Sequence, residues 1–226
     1  MARKIRRKPK KKLIVIIIVL ALILIGLGAY FMLSNKPTVK KNKVVSKIPE
    51  YGYTLKSNKS SAYKKLFQEL KKVLSKDKVD EEEYAKTITE MFIVDFYSLK
   101  DHIAKTDVGG VDFVHKDAEA NFIENAEDTM YKYVESNIYG QRKQKLPEVD
   151  KVTIKSVEKS EFTYGDVTDS EALEVVASWT YKNESIAEGY QTDATFIYMH
   201  DGKKLVLAEL QNGEEDDDEE EEDLED

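Results

Sequence analysis

Cysteine is absent from this 226-residue chain, and histidine, proline and tryptophan are scarce, with three, four and one copies. Without cysteine, no disulfide can support a fold that faces outward, and no lipidated cysteine can anchor one. The three histidines, His102, His115 and His200, lack the His-x-x-x-His type of metal-ligand spacing, and no thiolate is available to help them. No glycine-rich phosphate loop, nucleophile motif or paired-acid signature occurs, so the sequence predicts no catalytic residue, no cofactor and no metal site. His115 reads as a surface loop residue and His200 as a strand end.

Charge of one sign is missing from both ends. Residues 1–49 carry 13 lysines and arginines and no acid, whereas residues 214–226 carry 12 acids and no base. The stretch between, 50–213, has a net charge of −9. Phosphate neutralisation needs clustered cations, so nucleic acid is not an expected partner of this stretch. The acidic tail has too little apolar surface to order itself and lacks the spacing of a calcium loop.

The most conspicuous stretch present is residues 13–33, LIVIIIVLALILIGLGAYFML, 21 uncharged residues of which 15 are Leu, Ile, Val or Phe. As a helix it would be about 31 Å long, close to the ~30 Å hydrocarbon core of a bilayer. A cleaved signal peptide has a shorter apolar region followed by small residues. Here the bulky Tyr30, Phe31, Met32 and Leu33 follow, so a retained anchor is expected. Eight basic residues precede the run within 12 positions, and five lysines follow it within 16. The positive-inside rule then places the short tail 1–12 in the cytoplasm and the rest of the chain outside, at the plasma membrane. The absence of cysteine suits a Gram-positive-type or wall-less bacterium better than a eukaryotic secretory protein.

Residues 34–49, Lys-rich and bounded by Pro37 and Pro49, read as a linker to a domain over 50–213. Apolar residues recur at helical spacing from a cap at Ser60 or Ser61: Tyr63, Leu66, Phe67, Leu70, Val73 and Leu74. A second helix starts at Asp80, with Glu83 at capping-box spacing, and carries Tyr84, Ile88, Met91, Phe92, Phe96 and Leu99 on one face. Gly109-Gly110 breaks the chain. A third helix is predicted over 117–136, its inner stripe being Phe122, Ala126, Met130, Tyr133 and Val134.

The period then changes to two. Strands are predicted over 149–163, 171–182, 187–200 and 203–210, with a hairpin turn at Asp201-Gly202. Leu173, Val175, Ala177, Trp179 and Tyr181 share one face, as do Tyr190, Thr192, Ala194, Phe196 and Tyr198. The expected class is α+β: one transmembrane helix, then three helices packed on a curved four-stranded antiparallel sheet.

The late segments EVVASWTYK and YQTDATFIYMHDGKKLVLAEL, in this order after three helices, resemble the nuclear transport factor 2-like superfamily. The resemblance covers about residues 60–210 and implies a cone in which helices cradle the sheet. An anchored, outward-facing member resembles the scaffold subunit of type IV secretion and conjugation machines, which implies protein binding or self-association. Enzymes of this superfamily place an Asp paired with His or Tyr inside the cone. That carries over to Asp95, which interrupts the apolar run MFIVDFYSL, with Tyr97 and His102 nearby. The candidate pocket is therefore Asp95, Tyr97, Trp179, Tyr181, Phe196 and Tyr198. It leaves three roles open: a scaffold, a small-ligand pocket, or an isomerase- or dehydratase-like site at Asp95.

Overall fold

The computed structural model describes residues 43–212, together with positions 21, 23–27 and 30. The latter are helical and form part of a separate unit. Most of the expected span 13–33, the basic tail 1–12 and the acidic tail lie outside the described residues. Among the described residues no helix is long and apolar enough to cross a membrane.

The folded unit begins earlier than the sequence suggests. Strands β1 (Val44–Ile48) and β2 (Tyr53–Lys56) pair as an antiparallel hairpin, so the end of the stretch read as linker is structured. Pro49 opens a 3-10 turn between them, and Gly52 closes it with φ +72°, a left-handed conformation suited to glycine. Tyr51, Tyr53 and Leu55 are buried and fasten the hairpin to the core.

Helix α1 (Ser61–Leu74) starts at Ser60, whose hydroxyl accepts from the Tyr63 N–H at 3.2 Å. Its buried positions include Tyr63, Phe67, Leu70, Val73 and Leu74, five of the six apolar residues that the spacing marked. Helix α2 (Glu81–Phe96) is capped by Asp80, which accepts from the Glu83 N–H at 3.1 Å. Three glutamates in its first turn complement the helix dipole. From Met91 to Phe96 every residue is buried, so this helix is the axis of the core rather than a one-sided surface helix.

Helix α3 covers only Glu119–Asp128. The expected extension to Ser136 fails because Thr129 leaves helical geometry (φ −116°, ψ −95°), and turns follow. Helical spacing therefore no longer selects the inner residues. Tyr131 is fully buried, whereas Tyr133, assigned to the inner stripe, is 77% exposed.

The sheet is an antiparallel meander, β3 (Val149–Tyr164), β4 (Val167–Tyr181), β5 (Asp193–Asp201) and β6 (Lys204–Asn212), in that order. The third expected strand starts late because Glu184–Ala187 form a helical turn, α4. Leu173, Val175, Ala177, Trp179 and Tyr181 are all buried, as alternation predicts. Of the five residues expected to share a face around β5, Ala194, Phe196 and Tyr198 are buried, whereas Tyr190 and Thr192 precede the strand, the first half-buried and the second exposed. Register shifts interrupt β3–β4 at three places and β5–β6 at one, and such bulges bend a strand and raise its twist. The long β3–β4 hairpin reaches the outer side of β6, where Tyr164 packs 4.7 Å from the ring of His115. His115 is fixed there by its N–H, which donates to the Leu207 carbonyl.

One hydroxyl cycle joins the layers. Leu205 N–H donates to Tyr84, the Tyr84 and Tyr53 hydroxyls are 2.7 Å apart, and Tyr53 reaches the Leu205 carbonyl at 3.3 Å. It satisfies two buried phenols and a backbone pair at once, tying β2 and α2 to β6.

Candidate functional site

The C-terminal turn of α2 sends two polar side chains in different directions. Asp95 meets Lys59, which stands just ahead of α1. Its two carboxylate oxygens lie 2.5 and 2.6 Å from Lys59 Nζ, and one also accepts the Gly110 N–H at 2.9 Å. The two side chains are only 15% and 9% exposed. Lys59 also lies 4.9 Å from the centre of the Tyr63 ring. A charge this buried needs a partner, and each member of the pair supplies the other's.

The double glycine is what permits the closeness. A Cβ on Gly109 would stand 2.2 Å from the Asp95 carbonyl oxygen, and one on Gly110 would stand 2.6 Å from the Phe92 ring. Gly110 also has φ +75°. The sequence marked this pair only as a chain break. Its structural role is to press the loop against the end of α2.

His102 accompanies Asp95 through the backbone: its Nε2 is 2.7 Å from the Asp95 carbonyl. A carbonyl only accepts, so Nε2 carries the proton. Nδ1 lies 3.7 Å from Asp107, whose carboxylate also accepts the Ile103 N–H at 3.0 Å. Burial raises the Asp107 carboxyl, but the facing His102, the Ile103 N–H bond and the Lys59 charge outweigh it and hold the group below its ordinary value. Asp101 moves the other way, pushed up by burial and by the charge of Glu148. Tyr131 completes the floor: it donates to the Phe96 carbonyl at 2.6 Å and accepts from the Gly109 N–H at 3.1 Å. Arg142 clamps the turn from outside through the Lys100 and His102 carbonyls. Neither Tyr131 nor Arg142 carries a sequence signal, because both act through distant backbone atoms.

Lys56, Lys59, Asp95, Asp101, His102 and Asp107 line an open polar cleft of about 70 Å³. That is room for a few waters or a small ion. The carboxylate of Asp95 is already occupied by Lys59 and Gly110, so it faces the cleft as a satisfied ion pair. Among the described residues no group of three or more His, Asp or Glu is placed to hold a metal ion.

The other candidate pocket residues lie elsewhere. The Tyr97 ring lies 4.2 Å from that of Trp179, tilted by 37°, and its hydroxyl donates to Gln191 Oε1 at 2.9 Å. Trp179 Nε1 donates to the Tyr181 hydroxyl, which donates to the Gln191 carbonyl. Phe196 packs edge-on to Phe92, 5.6 Å between centroids. The Tyr198 and Thr89 hydroxyls are 3.0 Å apart, and Thr89 donates to the Ala85 carbonyl. Burial pushes the Tyr181 phenol up to about 12, against a smaller pull from the Trp179 bond. The structure thus brings Tyr97, Trp179 and Tyr181 together but separates them from Asp95. Among the described residues, no buried side-chain nitrogen or oxygen lacks a partner.

His200 is more than a strand end. Its Nδ1 is 2.8 Å from Asp169 and its Nε2 is 3.5 Å from Glu81, so it bridges β4 and the start of α2.

No protein-family model, curated protein or solved structure matches the chain.

Proposed function

We propose that the protein is a single-pass membrane protein whose α+β domain is an extracytoplasmic binding or scaffolding module of the nuclear transport factor 2-like type, acting through its surface. The observation that carries the reading is how the candidate pocket residues are used. Tyr97, Trp179, Tyr181, Phe196 and Tyr198 are buried and engaged in ring contacts and hydroxyl bonds with their neighbours. Asp95, the residue best placed in the sequence for acid–base work, spends its charge on Lys59 and Gly110. Contacts with other molecules are then left to the outside of the domain.

The anchor reading rests on the 21-residue apolar run and the basic block before it. Ile23, Leu24, Ile25 and Leu27 are each more than half exposed, and contiguous apolar surface of that kind calls for lipid or a partner. Protease treatment of intact cells tests the topology: the account expects residues 43–212 to be digested from outside. A domain that survives shaving but is cut after lysis would reverse the orientation.

A second reading has one observation in its favour, the open cleft beside Asp95 and His102. A Lys59→Met/Asp95→Asn double variant separates the two. It removes both charges of the ion pair from the cleft while leaving an acceptor for Gly110. Retained cellular function in the folded double variant supports the surface reading, and its loss supports a ligand or reaction at the cleft.

A further inference from the structure

Charge is divided within the chain in a way that the anchor does not require. Residues 34–78 hold 13 lysines and three acids, whereas residues 79–213 hold 14 bases and 28 acids. On α1 the excess becomes a stripe. At 100° per residue, Lys64, Lys65, Lys71 and Lys72 fall within an arc of about 120° that also holds Ser61 and Gln68. Lys65, Lys71 and Lys72 are exposed and Lys64 is half-exposed. Glu69 stands at its edge, 4.0 Å from Lys65, and the half-buried Glu90 lies near both. Lys64, Lys71 and Lys72 have no carboxylate within ion-pair distance among the described residues.

A helix face made of lysines selects an anionic occupant. The chain carries one, EEDDDEEEEDLED at 214–226. Its point of departure follows from the sheet. Strand β6 ends at Asn212, paired with Ala194, three residues beyond Gln191. Gln191 receives the Tyr97 hydroxyl at the end of α2, and Asp95 of the same turn holds Lys59, which immediately precedes the cap of α1. The tail therefore leaves the fold at the pole where α1 begins. Fourteen residues after Asn212 reach about 46 Å when extended, and α1 is about 21 Å long. That leaves about 25 Å of chain to cross from Asn212 to the start of α1.

We propose that the acidic segment 214–226 docks on the Lys64–Lys65–Lys71–Lys72 face of α1 and shields it. The contact is a set of exposed ion pairs, each weak and open to salt. Their strength lies in number and in the high effective concentration of a tethered segment. The other basic block, residues 1–12, competes for the tail only if the bilayer does not separate them, so on that point the proposal rests on the topology proposed above.

The test is lysine acylation read by mass spectrometry, on the full chain and on a chain ending at Gly213, both in nanodiscs of neutral lipid. Ending the chain at Gly213 should raise the reaction rates of Lys64, Lys65, Lys71 and Lys72 at least about threefold at low salt, and high salt should abolish the difference. Lys151 and Lys155, exposed on β3, should not change. Equal stripe reactivity in the two chains would overturn the proposal. So would a gain of reactivity at Lys8, Lys10, Lys11 and Lys12 in place of the stripe, which would also count against the topology. Stripe protection found only when anionic lipid is added, and kept after truncation, would assign the face to the bilayer and overturn docking by the tail.

Discussion

Asp95 and Tyr97 are two residues apart, yet they belong to opposite kinds of environment. Asp95 lies in a charged, water-facing cleft held by an ion pair. Tyr97 lies in a sealed aromatic wall held by neutral hydrogen bonds. The first is costly to disturb on one side only, because a half-removed ion pair leaves a buried charge. The second is built of groups that each lose about one bond's worth when cut. Both are satisfied, but they are satisfied by different physics, and substitutions should tell them apart.

The largest effect should come from the glycine that brings the charged side together. Gly109→Ala forces a Cβ onto the Asp95 carbonyl, and the expected loss is about 5 kcal/mol or failure to fold, read by denaturant unfolding. A loss under about 1 kcal/mol would mean that the loop does not press on α2. Next is Asp95→Ala, which strands Lys59 and should cost about 3–5 kcal/mol. On the sealed side, Tyr97→Phe leaves Gln191 Oε1 without its donor and should cost about 1–2 kcal/mol. If the two single substitutions prove equal, the contrast between the regions is false.

The smallest effect concerns pH. Burial raises the Glu148 carboxyl, but bonds from Lys100 and Lys182 outweigh it and hold it below its ordinary value. A depressed carboxyl contributes stability above its unfolded pKa of about 4.3, and the contribution is lost as pH falls through the lower folded value. Both lysines are more than half exposed, so the contribution is about 0.5 kcal/mol after screening. Glu148→Gln should flatten the stability profile between pH 5 and pH 3 by about that amount, without affecting the slope above pH 6. An unchanged acid limb would remove Glu148 from the account.

Much of the fold was legible because its signals are local. Ser60 and Asp80 mark helix starts that the structure keeps, and the alternation through Leu173–Tyr181 sets a buried face. The hairpin β1–β2 is not legible because Pro49 and the lysines around it resemble a linker, although Ile48, Tyr51, Tyr53 and Leu55 are all buried. Helix α3 ends earlier than the spacing predicts, because Tyr133 fits a helical period that Thr129 has already ended. The site was legible only at Asp95. Its partner Lys59 is 36 positions away, in a stretch rich in other lysines. Tyr131 and Arg142 bind carbonyls, which no residue pattern encodes. The candidate pocket read six residues as one group, whereas α2 separates them by pointing Asp95 and Tyr97 apart.

Asp95 is charged because it holds Lys59 and the Gly110 loop, and a double-mutant cycle on Lys59→Met and Asp95→Asn measures that coupling most directly. The predicted result is a coupling of at least about 2 kcal/mol, with the double variant restored to within about 1.5 kcal/mol of the parent. A coupling below about 0.5 kcal/mol would show the two residues acting independently, and Asp95 would need another reason to be charged.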